Sequence, residues 1–223
     1  MNMLECVKTN LGNPIELYGE KGFHNILIIG VFHGDEPQGK FLIDEYLKNN
    51  SENLVNKKNS LLFVPCLNPD GMKENVRVNS NGVDLNRNFP TKNWGLNQGE
   101  NATCDDSRTL YYGGTSAGSE IETQFVINII EKYEPKVILT FHAPYKVVNY
   151  DGPAKEIAEK ISGIMKYPTE ESIGYPTPGS FGTYCGVERY IPTITLELAE
   201  NIPVEEHYQP ACEIFEMLSV LDL

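Results

Sequence analysis

Two histidines and two glutamates, each next to or inside a run of apolar residues, are the groups in this chain best suited to chemistry. His33 and Glu36 form a His-x-x-Glu pair directly after Ile26-Leu27-Ile28-Ile29-Gly30-Val31-Phe32. His142 follows Val137-Ile138-Leu139-Thr140-Phe141, and Glu197 lies within Thr193-Ile194-Thr195-Leu196-Glu197-Leu198. Two imidazoles and a carboxylate are a donor set for a catalytic zinc ion, with a fourth position left for water. Each fragment alone also fits a hydrogen-bonded loop residue. Glu197 is harder to read that way, because a carboxylate flanked by Ile194, Leu196 and Leu198 must face something polar or be neutralised.

A second polar stretch runs from Val76 to Pro90, Val-Arg-Val-Asn-Ser-Asn-Gly-Val-Asp-Leu-Asn-Arg-Asn-Phe-Pro. It has no helical period and too few consecutive apolar residues for a buried strand, so it is expected to be a loop fixed by Gly82 and closed by Pro90. Arg77 and Arg87 sit there among Asn79, Asn81, Asn86 and Asn88. Forked cations and amides of this kind can grip a carboxylate and a polarised carbonyl, although the same composition suits a solvated loop of turn-forming asparagines. The chain has four arginines, Arg77, Arg87, Arg108 and Arg189, and this loop holds two of them.

The elements that must position these groups alternate. The β-branched run Asn25 to Phe32 has the character of a strand covered on both faces, and from Glu36 the spacing of Phe41, Leu42, Tyr46 and Leu47 predicts a helix with Pro37 in its first turn. A second strand, Ser60 to Leu67, runs into the turn signal Asn68-Pro69-Asp70-Gly71. After a long polar excursion to Gly118, a helix begins at Ser119-Glu120-Ile121-Glu122 with Phe125, Val126, Ile129 and Ile130 on one side. The strand Val137 to Phe141, a helix from Pro153 to Met165, a Gly/Pro-rich loop at Gly174 to Ser180, the strand Thr193 to Leu198 and a helix from about Val204 to Leu218 complete the pattern. No repeat or linker interrupts it. The expectation is one α/β domain spanning 1–223, with a mixed, largely parallel twisted sheet and helices on both faces. Sites in such sheets lie beyond the carboxyl ends of the strands, where His33, Glu36 and His142 fall.

Composition narrows the partners. A net charge of −13 and a pI near 4.7 exclude a nucleic-acid surface, which must supply excess Lys and Arg. No stretch approaches the ~20 apolar residues that span a bilayer, and Met-Asn-Met-Leu-Glu-Cys-Val-Lys lacks the pattern of an export signal, so a cytoplasmic location is expected. The five cysteines, Cys6, Cys66, Cys104, Cys185 and Cys212, are odd in number and have no Cys-x-x-Cys spacing, which favours free thiols.

Taken together, His33-x-x-Glu36, Asn68-Pro69-Asp70-Gly71, Arg77 through Gly82-Val83-Asp84-Leu85-Asn86-Arg87-Asn88, His142 and Thr195-x-Glu197-Leu198 resemble the funnelin-type zinc carboxypeptidases. Pro176-Thr-Pro-Gly-Ser-Phe-Gly and Gly186-Val-Glu-Arg are most similar to the small bacterial murein peptide amidases. The resemblance implies one Zn2+ per chain, held by His33, Glu36 and His142, with Asp84 accepting a hydrogen bond from the His33 ring. It implies that Glu197 takes a proton from the zinc-bound water and passes it to the leaving amine, and that Arg77 polarises the scissile carbonyl. Asn86 and Arg87 would bind the free C-terminal carboxylate of a small peptide. Tyr175 is either a mobile substrate-capping residue or a packing tyrosine, and Arg189 is expected to pair with a surface carboxylate rather than reach the site. The implied reaction is release of a C-terminal amino acid, by cleavage between γ-D-glutamate and meso-diaminopimelate in peptidoglycan recycling. Asp151, Glu170 and Glu171 are candidates for receiving the distal ammonium. An N-acyl amino acid deacylase of the succinylglutamate desuccinylase or aspartoacylase type shares His-x-x-Glu and an Asn-Arg pair, and a catalytically silent peptide-binding module is a third reading. Oligomeric state is not legible in the sequence.

Overall fold

In the computed structural model, residues 1–22, 24–50, 57–95, 111–171 and 177–223 are described. The apolar runs form the centre of one eight-stranded sheet. Its strands are β1 (Asn2–Lys8), β2 (Pro14–Gly19), β3 (Asn25–Ile29), β4 (Ser60–Val64), β5 (Val137–His142), β6 (Tyr145–Asp151), β7 (Thr169–Glu170) and β8 (Thr193–Ala199). They lie in the order β1-β2-β4-β3-β5-β8-β6-β7. The four central strands, β4, β3, β5 and β8, run parallel, while β2 and β6 flank them antiparallel.

Helices cover both faces because successive side chains of a strand point to opposite sides. Ile26 and Ile28 pack with Leu42 and Tyr46 of α1 (Gln38–Asn50), Ile157 and Ile161 of α4 (Lys155–Met165) and Phe215 of α5 (Tyr208–Val220). Leu27 and Ile29 face the other way, onto Phe125, Val126 and Ile129 of α3 (Ile121–Tyr133) and onto Leu85, Phe89 and Phe181. Among the described residues no helix is long and apolar enough to cross a membrane.

Several boundaries differ from the sequence expectation, for local reasons. Helix α1 starts at Gln38 rather than Glu36, because the Glu36 amide donates to the His33 carbonyl at 3.1 Å in a tight turn before the helix. Asn68-Pro69-Asp70-Gly71 opens a short helix, α2 (Pro69–Glu74), instead of making a simple turn. Asn68 Oδ1 accepts from the Gly71 amide at 2.9 Å and Pro69 occupies the first turn, so residues that signal a turn serve equally as a helix cap. The run Val204 to His207 is a 3-10 turn that precedes α5. Strands β1, β2 and β6 and the two-residue β7 are not signalled in the sequence, since their polar-apolar alternation is weaker or shorter than the runs at the centre of the sheet.

Candidate active site

The chain leaves β3 through a strained turn. Val31, fully buried, has φ of 56°, a left-handed conformation that β-branched residues avoid and that costs about 1–3 kcal/mol. Hydrogen bonds from Leu67 N to Gly30 O at 3.1 Å and from Asn68 N to Val31 O at 2.9 Å hold it there. Gly34 packs directly on α2, where an added Cβ would lie 2.0 Å from the Gly71 carbonyl carbon. The turn therefore aims His33 and Glu36 across the ends of β3 and β5, towards His142.

Three donor groups meet there. His33 Nδ1 lies 2.9 Å from Glu36 Oε1, His142 Nδ1 lies 3.0 Å from Glu36 Oε2, and the two Nδ1 atoms are 3.2 Å apart. All three residues are buried, and their donor atoms fall within 4.8 Å of one another. Ligands about 2.0–2.1 Å from one ion at tetrahedral angles stand about 3.3–3.4 Å apart, so two imidazoles and a carboxylate at this spacing fit zinc.

A charged lattice supports the donors. His33 turns Nε2 towards Asp84 Oδ1 at 3.2 Å, which leaves Nδ1 as the atom facing Glu36 and His142. Asp84 also receives Arg77 Nε and Nη2, each at 3.0 Å from Oδ2, and caps the 3-10 turn Leu85–Arg87 by accepting from Asn86 N at 2.9 Å. Burial opposes ionisation of Asp84, but Arg77 and His33 hold its carboxyl well below the usual range. Burial opposes ionisation of Glu36 too, and His33 and His142 likewise bring it far down. Burial and Arg77 act to lower the His33 pKa; Glu36 and Asp84 outweigh them, and the net shift is upward. Arg77 Nη1 projects past Asp84 to within 3.5 Å of Glu36 Oε1, so its outer nitrogen reaches the donor cluster.

Glu197 stands beside His142 in register across the β5–β8 ladder, with Val147 of β6 opposite on its other side. It is 7% exposed, and its Oε2 has no hydrogen-bond partner among the described residues. Burial, with the neighbouring Glu36 charge, raises its pKa against the pull of His142. A buried, unpartnered carboxylate oxygen next to a metal-type donor cluster is suited to accept a proton.

These groups line one cleft of about 250 Å³ together with Asn86, Arg87, Tyr111, Asn149, Asp151, Glu171, Ser180 and Thr195. Asn86 Oδ1 accepts from the Phe181 amide at 2.8 Å, which directs the Asn86 amide nitrogen elsewhere as a donor. Arg87 is buried, with Nη1 on the Asn86 carbonyl at 2.6 Å and its guanidinium 4.9 Å from the Tyr111 ring centre. Also in the cleft wall, Gly182 leaves room for Asp151, since a Cβ there would stand 2.1 Å from Asp151 Oδ2. Burial and Glu171 push the Asp151 carboxyl up to about 6.

The sequence had nominated Asp151, Glu170 and Glu171 without locating them; Asp151 and Glu171 line the cleft and Glu170 does not. Tyr175 lies outside the described residues. Arg189 pairs with no surface carboxylate among the described residues: its Nη1 donates to the Tyr184 carbonyl at 2.8 Å and its guanidinium stacks 3.4 Å from the Tyr184 ring centre. Sequence reasoning missed Tyr111 and Asn149, which carry no spacing signal and join the cleft only through the fold; Ser180 lies in the Pro176 to Gly182 run, to which no individual site role was given.

Known proteins resemble this chain in sequence and backbone. The profile of the zinc carboxypeptidase family matches residues 7–198. Murein peptide amidase A of Escherichia coli K12 is 35% identical over 164 residues, which cover 71% of this chain and 65% of that protein, just under two thirds of the relative's length. Murein peptide amidase A of Vibrio campbellii is 35% identical over 209 residues, covering 90% of this chain and 82% of that protein. The crystal structure of the murein-tripeptide amidase of Escherichia coli O157 superposes with a TM-score of 0.82 at 29% identity, over 97% of this chain and 90% of that one. With the family profile matching most of its length, and the likeness extending from sequence to backbone, this chain belongs to the zinc carboxypeptidase family.

Proposed function

We propose that residues 1–223 form one catalytic domain, a zinc-dependent hydrolase that releases a C-terminal amino acid from a small murein peptide by cutting between γ-D-glutamate and meso-diaminopimelate. The observation that carries this reading is the meeting of His33, Glu36 and His142 beside the unpartnered Oε2 of Glu197. Zinc, when bound by His33, Glu36 and His142, supplies a Lewis acid that polarises a carbonyl and makes water a nucleophile at neutral pH.

The remaining work falls to side chains of this chain. Glu197 accepts a proton from the attacking water and delivers it to the departing amine, a shuttle that its raised proton affinity favours. Arg77, anchored by Asp84 through two nitrogens, offers Nη1 to the oxygen on which negative charge develops. Arg87 and the amide nitrogen of Asn86 take the free carboxylate. Asp151 and Glu171, which line the same cleft and make no ion pair among the described residues, receive the distal ammonium of a diamino acid. Peptidoglycan recycling in the cytoplasm is the setting we infer: the names of the relatives support a murein peptide as substrate, and free thiols at Cys6, Cys66, Cys185 and Cys212 fit a reducing compartment.

The test is incubation of the zinc-loaded protein with L-Ala-γ-D-Glu-meso-diaminopimelate and mass spectrometry of the products. Free diaminopimelate with the dipeptide L-Ala-D-Glu is the expected result. Release of amino acids only from N-succinyl or N-acetyl substrates would replace this reading with that of an N-acyl amino acid deacylase.

A further inference from the structure

Arg87 is a buried cation, 4% exposed, that makes no ion pair among the described residues, although its charge helps to lower the Asp84 pKa. Among the described residues it meets the Asn86 carbonyl and the ring of Tyr111. Arg77 comes to the same ring, with its guanidinium carbon 5.5 Å from the centre, against 4.9 Å for that of Arg87. Two guanidinium groups in one cleft repel each other, and Asp84 is paired with only one of them.

An aromatic face is negative at its centre and attracts cations, most strongly where water is excluded. The strand of chain that carries Tyr111 is fixed to the arginine loop by backbone contacts. The Asp84 amide donates to the Tyr112 carbonyl at 2.9 Å, and Asn88 Nδ2 donates to the Gly113 carbonyl at 2.7 Å. These bonds tie the backbone beside Tyr111 to the loop that carries Arg87 without using either guanidinium.

We propose that Tyr111 is a positioning residue: its ring lies against both guanidinium groups and keeps Arg77 and Arg87 at the spacing needed to serve the scissile carbonyl and the terminal carboxylate of one substrate. The proposal rests on the roles given to those arginines above. It assigns the work to the ring face, so removal of the hydroxyl is expected to cost far less than withdrawal of charge from that face.

The experiment keeps the shape of residue 111 and changes the charge on its face. Phenylalanine and its mono-, di-, tri- and pentafluorinated analogues are introduced at this position, and kcat and KM are measured on a peptide acid and on its C-terminal amide. Tyr111→Phe is expected to stay within about threefold of the parent, while stepwise fluorination lowers kcat/KM on the acid by roughly ten- to thirtyfold overall. KM rises as Arg87 drifts, kcat falls as Arg77 drifts, and the preference for acid over amide shrinks. A flat series overturns the proposal, as does a loss at Tyr111→Phe as large as at the pentafluoro analogue. Calorimetric binding of Nα-acetyl-lysine across the same series reads the effect without turnover. Graded binding with an inactive parent faults the proposed reaction and keeps the role of Tyr111; level binding, or none in the parent, removes that role.

Discussion

At the scale of single residues, Glu197 and Arg87 have separable jobs. Glu197→Gln keeps the shape of the side chain and removes its basicity. Turnover should fall by roughly 10²- to 10⁴-fold, the usual worth of a general base, while metal content measured by plasma mass spectrometry stays near one ion per chain. Loss of metal together with activity would make Glu197 a ligand instead. Arg87→Ala removes charge-assisted hydrogen bonds to the substrate's terminal carboxylate, worth about 1.5–3 kcal/mol, and should raise KM by roughly ten- to a hundredfold with a smaller change in kcat. An unaltered KM on the peptide acid would place the carboxylate elsewhere. The sequence made these residues legible because the metal donors, the base and the arginines keep fixed neighbours along the chain. Tyr111 has no such neighbours. Its presence in the cleft depends on where a loop returns after other elements have packed, which no local spacing encodes.

At the scale of elements, the central strands could be read from their β-branched runs because they are buried on both faces and need no polar alternation. The flanking strands could not: β6 begins with two exposed residues and β1 is exposed along much of its length, so their pattern is diluted. Helix α3 carries a feature that length and period do not reveal. Its first turn brings Glu122, 1% exposed, next to Glu120 and Asp70, with Asn79 Nδ2 donating to both glutamates. Burial first, then these like charges, push the Glu122 carboxyl up to about 7 against the help of Asn79 and its own backbone amide. The folded protein thus binds a proton there more tightly than the unfolded chain does. The sign follows: the benefit is full below the unfolded pKa near 4.5 and is lost as pH rises through about 7. Glu122→Gln should leave stability unchanged at pH 4 and exceed the parent by up to about 3 kcal/mol at pH 8.5 in urea unfolding. Parallel pH profiles for the two proteins would show that Glu122 titrates normally.

At the scale of the whole molecule, the donor cluster joins parts of the chain that are far apart in sequence. His33 and Glu36 belong to the turn after β3, His142 ends β5, and Asp84 ties the first of these to the arginine loop. An ion held by His33, Glu36 and His142 binds the folded state and has no comparable site in the unfolded chain, so its binding energy adds to the stability of the fold as a unit. With free zinc at about a thousandfold over its dissociation constant, that addition is about 4 kcal/mol. For a domain of 150–250 residues, each kcal/mol moves Tm by about 2–4 °C, so stripping the metal should lower Tm by roughly 8–16 °C. Readdition of zinc should restore it. The effect should vanish in His142→Ala, which removes one donor and leaves His33 and Glu36 in their turn. Differential scanning calorimetry of the two proteins, each with and without chelator, separates the outcomes. A parent whose Tm ignores the chelator would mean that these three side chains are held by their mutual hydrogen bonds alone, and the catalytic reading built on them would fall with the ion.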